Sequence, residues 1–453
     1  IHNYADAGGS LALSAGITGA VDLTFSGTGR TVLSGTNTFS GVTRINGGSV
    51  VIDEISRLGS VATNLELRGG TLVTLSSVIL TNRTVTLGGD GGTFDVAAGT
   101  TNLLGQVRSE ANILDAGRVN NGHGDLIKTG DGLLELRSTI GNEGSQPTQT
   151  YQGLTDIRDG MIRTRGTYAL GSTKSFYDGT VIRSGATLAL GSNFNNAAYN
   201  IREWLTMEEG SKLVFERQNT GYSNPGADGV INLVGDAVIW VDASEADLNE
   251  NAGYLMGSGD LIKDGNAGLR LYQPSPEFTG GIVIMDSYVE DYAYAHTAIP
   301  NASSITIGNS DLTTNVGAVG FMVRGVERNA VNSTWDVNQD IFVRGNSDNT
   351  RLGVRRAHNN DIVNFNGNIS LSNFNATRDF QLYYERDISQ RDANGGDSFR
   401  QDTDATVHSR HLHGRTLVDV LARRAAAHEE HIRSAIHIVR NGRLVTRAKE
   451  FCK

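Results

Sequence analysis

The most regular feature of the chain is a run of very short stretches in which apolar and polar positions alternate, each closed by glycine. Leu133-Leu134-Glu135-Leu136, Arg83-Thr84-Val85-Thr86-Leu87 and Ala186-Thr187-Leu188-Ala189-Leu190 are of this kind. A period of two puts alternate side chains on opposite faces of a strand, so each stretch predicts a strand with one apolar face. Such strands recur to about Asn375. Each is too short and too one-sided to be stable alone. Stacking another coil on it satisfies its backbone groups and buries its apolar face.

Three segments repeat the pattern in the same internal order: Ser26 to Gly59, Gly124 to Ser172 with an insertion, and a third from Gly259. A glycine-containing turn (Gly27 and Gly29; Gly130 and Gly132; Gly265 and Gly268) precedes a strand. An aromatic-x-Gly step follows: Phe39-Ser40-Gly41, Tyr151-Gln152-Gly153 and Phe278-Thr279-Gly280. A second strand, a glycine turn and a third strand close the unit. Self-similarity of this kind marks a solenoid, with the aromatics stacked in its core. Antiparallel sandwiches also carry short strands, and Asn46-Gly47 and Asp159-Gly160 sit where hairpin turns would. Recurrence of the unit as a whole favours the solenoid.

These residues resemble the autotransporter-associated β-strand repeat of bacterial surface proteins. Lys128, Gly130, Gly132, Leu134 and Leu136 match its first half, Asn37-Thr38-Phe39-Ser40-Gly41-Val42-Thr43 its middle, and Ala169-Leu170-Gly171 its end. The third copy departs: Gly268 sits one place late and the closing Ala-Leu-Gly is missing. The resemblance implies a right-handed parallel β-helix, export through the outer membrane, residence at the bacterial surface and no catalytic residues. Members of that family typically end in a membrane β-barrel. The C-terminal part here lacks the series of ~10-residue alternating strands that a barrel requires.

Composition agrees with strands and tight turns: of 453 residues 56 are glycine and 5 proline, and charged residues make up only 19%. The one cysteine, Cys452, excludes an internal disulfide or a cysteine-based zinc site. No stretch approaches the ~18 apolar residues of a membrane-spanning helix. The chain opens Ile1-His2-Asn3 without a leader, so a leader has been removed or the chain is a fragment. A net charge of −10 argues against nucleic acid as a partner. Charge is uneven, however. From His408 to Lys453 ten Lys and Arg stand against four Asp and Glu, a balance of +6, leaving the body with 29 against 45, or −16.

Candidate chemistry is sparse. G-x-S-x-G, P-loop and H-E-x-x-H patterns are lacking. Asp286, Glu290 and Asp291 could serve a polysaccharide-degrading enzyme, but read more simply as a solvated loop face. Asp392 to Asp397 resembles half of a calcium loop, yet Thr403 stands where the bidentate glutamate belongs. His408, His411 and His413, and His428 with His431, lack companion ligands and read as surface histidines. Neither a metal nor a cofactor is therefore expected. In the run Tyr288 to Tyr294, alternation puts Tyr288, Tyr292 and Tyr294 on one face, suited to stacking on sugar or to a core or subunit contact.

The expected fold is thus all-β: a right-handed parallel β-helix (β-solenoid) with a small C-terminal helical tail. Residues 1–388 form the repeat body, 389–407 a linker and 408–453 the basic, His-rich tail. At ~22–25 residues per coil and ~4.8 Å spacing, about fifteen coils would stack to on the order of 75 Å. Thr416 to Asp419 reads as a capping box. Leu417, Leu421, Ile432, Ile436 and Val439 then share one helical face that would anchor a partner. A hairpin across Asn441-Gly442 is the alternative. Docking of the tail on a neighbour would give a head-to-tail homo-oligomer, while folding back would cap the chain's own solenoid. A third possibility is that the tail is sequence unrelated to the native end. The function expected is structural, as a cell-surface or extracellular rod that assembles into a fibre or layer. An adhesin binding a surface glycan through an acidic, Tyr-bearing face is the alternative, and a polysaccharide-degrading enzyme a second one.

Overall fold

The computed structural model describes residues 1–5, 9–60, 63–110, 124–137, 149–165, 169–171, 179–191, 200–216, 226–242, 245–248, 253–292, 297–308, 318–324, 334–344, 349–357, 362–372, 379–386, 405–412, 415–422, 435–440 and 443–448. Two compact units divide the chain, Ile1–Ala237 and Val238–Lys453, a boundary that no composition shift announces. Strands dominate both units. Among the described residues the one helical segment is the 3-10 turn Ile55–Leu58, and no helix is long and apolar enough to cross a membrane.

In the first unit the chain winds mainly through three parallel sheets, and Asn200–Ile201 with Gly226–Ala227 begins a fourth. The first sheet runs from Ser10–Leu13 through Arg30–Leu33, Ser49–Ile52, Thr71–Thr74, Gly92–Val96 and Leu126–Thr129 to Ile231–Leu233. A second begins at Val78–Leu80 and passes through Thr101–Leu104, Leu133–Arg137 and Met161–Arg165. A third stacks Leu23–Phe25, Thr43–Ile45, Leu65–Leu67, Val85–Leu87 and Val107–Ser109. Each strand pairs with the strand one coil on, in the manner of a parallel β-helix.

Register explains the alternating pattern. Along the first sheet Thr31, Val50, Leu72, Phe94, Lys128, Ile157, Ile182, Met207 and Leu233 lie in one row, one from each coil. All nine are buried. Seven of the nine are Val, Leu, Ile, Phe or Met, whose burial is worth roughly 1.5–3 kcal/mol each, and only a continuous row makes three-residue strands worth forming. Successive members are 19, 22, 22, 34, 29, 25, 25 and 26 positions apart, so coil length varies more than the expected ~22–25. The two longest steps take in residues 111–123 and 138–148, outside the described residues.

The repeat spans two stacked coils. Leu126–Thr129, from the first half of the motif, pairs with Thr155–Ile157, which follows the aromatic step. Leu23–Phe25 pairs likewise with Thr43–Ile45, and Leu261–Asp264 with Ile282–Ile284. Asp22, Asp125 and Asp260 each stand just before the first strand. Their Oδ1 atoms accept the backbone N–H of Val42, Leu154 and Gly281 in the next coil at 2.8, 2.8 and 2.7 Å. Phe39, Tyr151 and Phe278 are fully buried, as expected of core aromatics. Copies are not in phase, however. The first steps from the third sheet to the first, and the second from the first sheet to the second. The motif is therefore a corner device that fits more than one corner of the coil.

In the second unit one sheet stacks Leu261–Asp264, Ile282–Ile284, Ser304–Ile307, Asp340–Arg344 and Ile369–Ser372. Another stacks Glu245–Leu248, Gly268–Leu271, Tyr288–Asp291, Val319–Arg324, Asn349–Ala357 and Asp379–Arg386, all parallel. Parallel pairing then ends. Ala405–Leu412 pairs antiparallel with Asp379–Arg386 and with Arg415–Ala422, and Ala435–Arg440 pairs antiparallel with Arg443–Ala448.

The expected helical tail is corrected by these strands. Apolar residues at a spacing of three or four serve a helix, but Thr416-Leu417-Val418 and Ile436-His437-Ile438-Val439 are rich in the β-branched residues that suit strands. Asn441-Gly442, the strongest short hairpin signal in the segment, lies between Arg440 and its partner Arg443.

Candidate functional site

The densest grouping of chemically active side chains lies on the second unit's long sheet. There Leu269, Leu271, Val289, Phe321 and Val323 fill the core, so alternation turns Glu245, Asp247, Arg270, Tyr288 and Glu290 to the other face. Pairing puts Asp247 beside Arg270 and Arg270 beside Glu290. Glu290 Oε2 accepts from Arg270 Nε at 3.1 Å and from Arg324 Nη1 at 3.1 Å. Arg270 also pairs with Glu245, and its Nη1 lies 3.6 Å from Asp247 Oδ1. Tyr288 donates its hydroxyl to Glu245. Its ring occupies the space over Gly268, where a Cβ would collide with it. Tyr292 meets Tyr272 edge-on, ring centres 4.5 Å apart, and carries the Arg324 guanidinium 4.6 Å above it.

Although this row faces away from the core, it is closed. Glu290 is 0% and Arg324 5% exposed. Burial alone would weaken the hold of Arg270 on its proton, but Glu245, Glu290 and Asp247 outweigh it, so the guanidinium stays charged. The network ties consecutive coils together. Its carboxylates at Asp247 and Glu290 are buried, while Glu245, Tyr288 and Tyr292 are half-buried and bonded within the protein. For Glu290 and Asp291 the expectation of a solvated loop face is thereby corrected, whereas Asp286 is partly exposed in the turn before Tyr288–Asp291. Asp291 is 0% exposed and accepts from the Thr297 hydroxyl at 2.6 Å and from the Ala298 N–H at 2.9 Å. Tyr288 and Tyr292 are engaged inside the protein, and Tyr294 lies outside the described residues. No spacing rule could have found Arg270 and Arg324 as partners of Glu290, because they stand 20 and 34 residues away from it.

The repeat lysines form a second, recurring arrangement. Lys128 stands in the buried row between Phe94 and Ile157. Its ammonium donates to the carbonyls of Thr129, Gly130 and, one coil on, Asp159, at 2.9, 2.6 and 3.2 Å. Lys263 does the same with Asp264, Gly265 and Asp286 at 2.9, 2.9 and 3.0 Å. Three N–H groups meet three carbonyls at a corner whose backbone bends away from the strands. Burial pulls both ammonium groups down to about 8, against neighbouring aspartates. Arg83, 2% exposed, caps another corner by donating to the carbonyls of Thr63 and Gly59 at 2.9 and 3.0 Å.

The remaining sequence candidates are scattered. Leu417 and Leu421 lie in the strand Arg415–Ala422, Ile436 and Val439 in Ala435–Arg440, and Ile432 outside the described residues. Four of the five thus lie on strands and not on a helix. His408 and His411 fall in Ala405–Leu412, while His413, His428, His431 and residues 392–397 lie outside the described residues. Among the described residues no grouping of three or more His, Cys, Asp or Glu side chains could hold a metal ion.

Parallel coils and a coil-to-coil charge network are thus what both units are built of, and one curated protein is similar to part of the chain. Over 161 residues the chain is 35% identical to the adhesin BmaC autotransporter of Brucella suis biovar 1 (strain 1330). The match takes in 36% of this chain and 4% of that protein. The chain is thus related to part of an autotransporter, and it spans a small fraction of that relative's length. No protein-family model matches the chain, and no solved structure matches it significantly.

Proposed function

We propose that this chain is a stretch of passenger-type β-solenoid that is displayed at a bacterial surface, acts by adhesion and catalyses no reaction. The observation that carries the reading is the 35% identity to an autotransporter adhesin over 161 residues, in a chain built of stacked parallel coils. Ion networks between coils and lysine-capped corners fit a part that must stay folded outside the cell. The densest acid, arginine and tyrosine grouping is spent on its own structure, which supports a non-catalytic role. Adhesion is tested by coating beads with the purified chain and counting attachment to host cells and matrix. Attachment no greater than with an unrelated solenoid would overturn the reading, and so would turnover of acidic or neutral polysaccharides.

A subunit of a fibre or layer is the second reading. It is favoured by Val78–Leu80, which pairs within its sheet only with Thr101–Leu104 and presents Ile79 at 61% exposure. A one-sided apolar strand is a site for edge-to-edge association. Filaments in electron micrographs of the purified chain would support assembly.

A further inference from the structure

A different face of the second unit is open to solvent and carries an ordered array of hydrogen-bonding groups. Thr334–Val337 stacks in parallel on Ile362–Phe365, and Asp340–Arg344 on Ile369–Ser372. Between and within these strands, Trp335, Val337, Gln339 and Ile341 point inward and are 0–5% exposed. Asp336, Asn338 and Asp340 are turned outward around the bend at Asn338-Gln339 that joins the two sheets, and so, one coil on, are Asn364, Asn366 and Asn368. Asn364 Nδ2 donates to Asp336 Oδ1 at 2.7 Å, Asn366 Nδ2 to Asn338 Oδ1 at 2.8 Å, and Asn368 Nδ2 to Asp340 Oδ1 at 3.0 Å. Two residues beyond Asp340, on the same outward row, stands Phe342. It is 40% exposed and sits between Thr306 and Ser370 in register.

We propose that this Asx ladder, together with the ring of Phe342, is a binding face for an uncharged glycan chain. The inference rests on the adhesin reading and names its ligand class. An exposed aromatic ring accepts the C–H face of a sugar. Beside it, amides offer both donors and acceptors to hydroxyl groups, and carboxylates add acceptors. Asn366 Nδ2 also reaches Asp336 Oδ1 at 3.4 Å and the Asn368 backbone N–H donates to Asp340 Oδ1 at 2.8 Å, so the bonds fix the side chains while the amide oxygens of Asn364, Asn366 and Asn368 and the Oδ2 atoms of Asp336 and Asp340 take no part in the ladder. Ladder rows repeat at the coil spacing of ~4.8 Å, so a chain of similar units lying across the coils meets the same groups more than once. Asp336 and Asp340 make the face unfavourable for a polyanion. A bound cation is also disfavoured, because calcium needs converging oxygens, whereas both carboxylates are met by the NH2 groups of Asn364 and Asn368.

The test uses the full chain in isothermal titration against neutral oligosaccharides of glucose, N-acetylglucosamine and mannose, with heparin as the anionic comparator. Binding to at least one neutral series is expected, with none to heparin. Phe342→Ala and Asn366→Ala should each weaken it tenfold or more, while Val234→Ser, at an exposed position of the other unit, should leave it unchanged. Far-UV circular dichroism and the thermal midpoint show that each variant is folded. Phe342 is exposed, so its replacement keeps the test valid if Asn366→Ala misfolds. Unchanged affinity in folded Phe342→Ala overturns the inference. So does binding that chelator abolishes and calcium restores. Host-cell attachment without neutral-glycan binding also overturns it while leaving the adhesin reading intact; absence of attachment overturns the adhesin reading itself.

Discussion

At the scale of single residues, the glycine that closes the motif is set by the aromatic one coil away. Gly171 has φ of +79° and Gly59 of +77°. A Cβ on Gly171 would lie 2.7 Å from the Tyr151 carbonyl oxygen and 2.9 Å from its ring, and one on Gly59 would meet Phe39 at 2.7 and 2.8 Å. Tyr151 cannot retreat, because it is fully buried and its hydroxyl is hydrogen-bonded to Thr155 Oγ1 at 2.6 Å. Gly185 separates the two costs, with φ of +75° and nothing within 4 Å of a Cβ. Gly185→Ala should lose about 1 kcal/mol, the left-handed backbone alone. Gly171→Ala should lose about 2–4 kcal/mol, since overpacking adds to it. Urea unfolding of the two variants checks this, and equal losses would show that the ring has room to move.

At the scale of elements, the motif lysines convert a corner into a joint between coils. With folded ammonium groups at about 8 and ordinary values near 10.5, Lys128 and Lys263 are charged and fully bonded at neutral pH. Burial nevertheless makes the charge costly. A folded value below the unfolded one means that the unfolded chain binds more protons between pH 8 and 10.5, so stability due to these groups rises with pH across that window. The double variant Lys128→Met, Lys263→Met lacks this term. Wild type should therefore gain on the variant, by on the order of 1 kcal/mol per lysine, between pH 7.5 and pH 10. Chemical denaturation at the two pH values measures the gap, and a gap that narrows would contradict the assigned burial cost. From the sequence, Lys128 was legible as a motif position but not as a core residue. Its neighbours Phe94 and Ile157 come from other coils, and alternation alone does not say that a lysine stem stacks between them. Phe39, Tyr151 and Phe278 were legible as core because aromatic bulk beside glycine leaves few other places. Glu290 was misread because a local acidic run looks solvated until the arginines of adjacent coils are in place.

At the scale of the whole chain, repetition told the fold class, and its irregularities hid the rest. Copies of one motif serve different corners, so the repeat does not reveal which sheet a strand joins. The tail read as a helix because Leu417, Leu421, Ile436 and Val439 fit its spacing, although Asn441-Gly442 offered the hairpin as an alternative, and the pairing of Ala405–Leu412 with Asp379–Arg386 has no signature in local spacing. That pairing bears on what covers the last parallel strand of the long sheet. The strand Asp379–Arg386 is held by Asn349–Ala357 on one side and by Ala405–Leu412 on the other, through Phe380 with Val407, Gln381 with Thr406 and Leu382 with Ala405. Folding back on its own sheet, rather than docking on a neighbour, is what this arrangement favours. Removing residues 405–453 leaves a long parallel strand with one open edge, and open edges of this length recruit other chains. The truncated chain should therefore show a higher mass by light scattering than the intact one at equal concentration, with its parallel coils still folded by circular dichroism. If truncation instead dissolved a pre-existing assembly, the tail would act between molecules, and the capping role drawn from the strand register would be wrong.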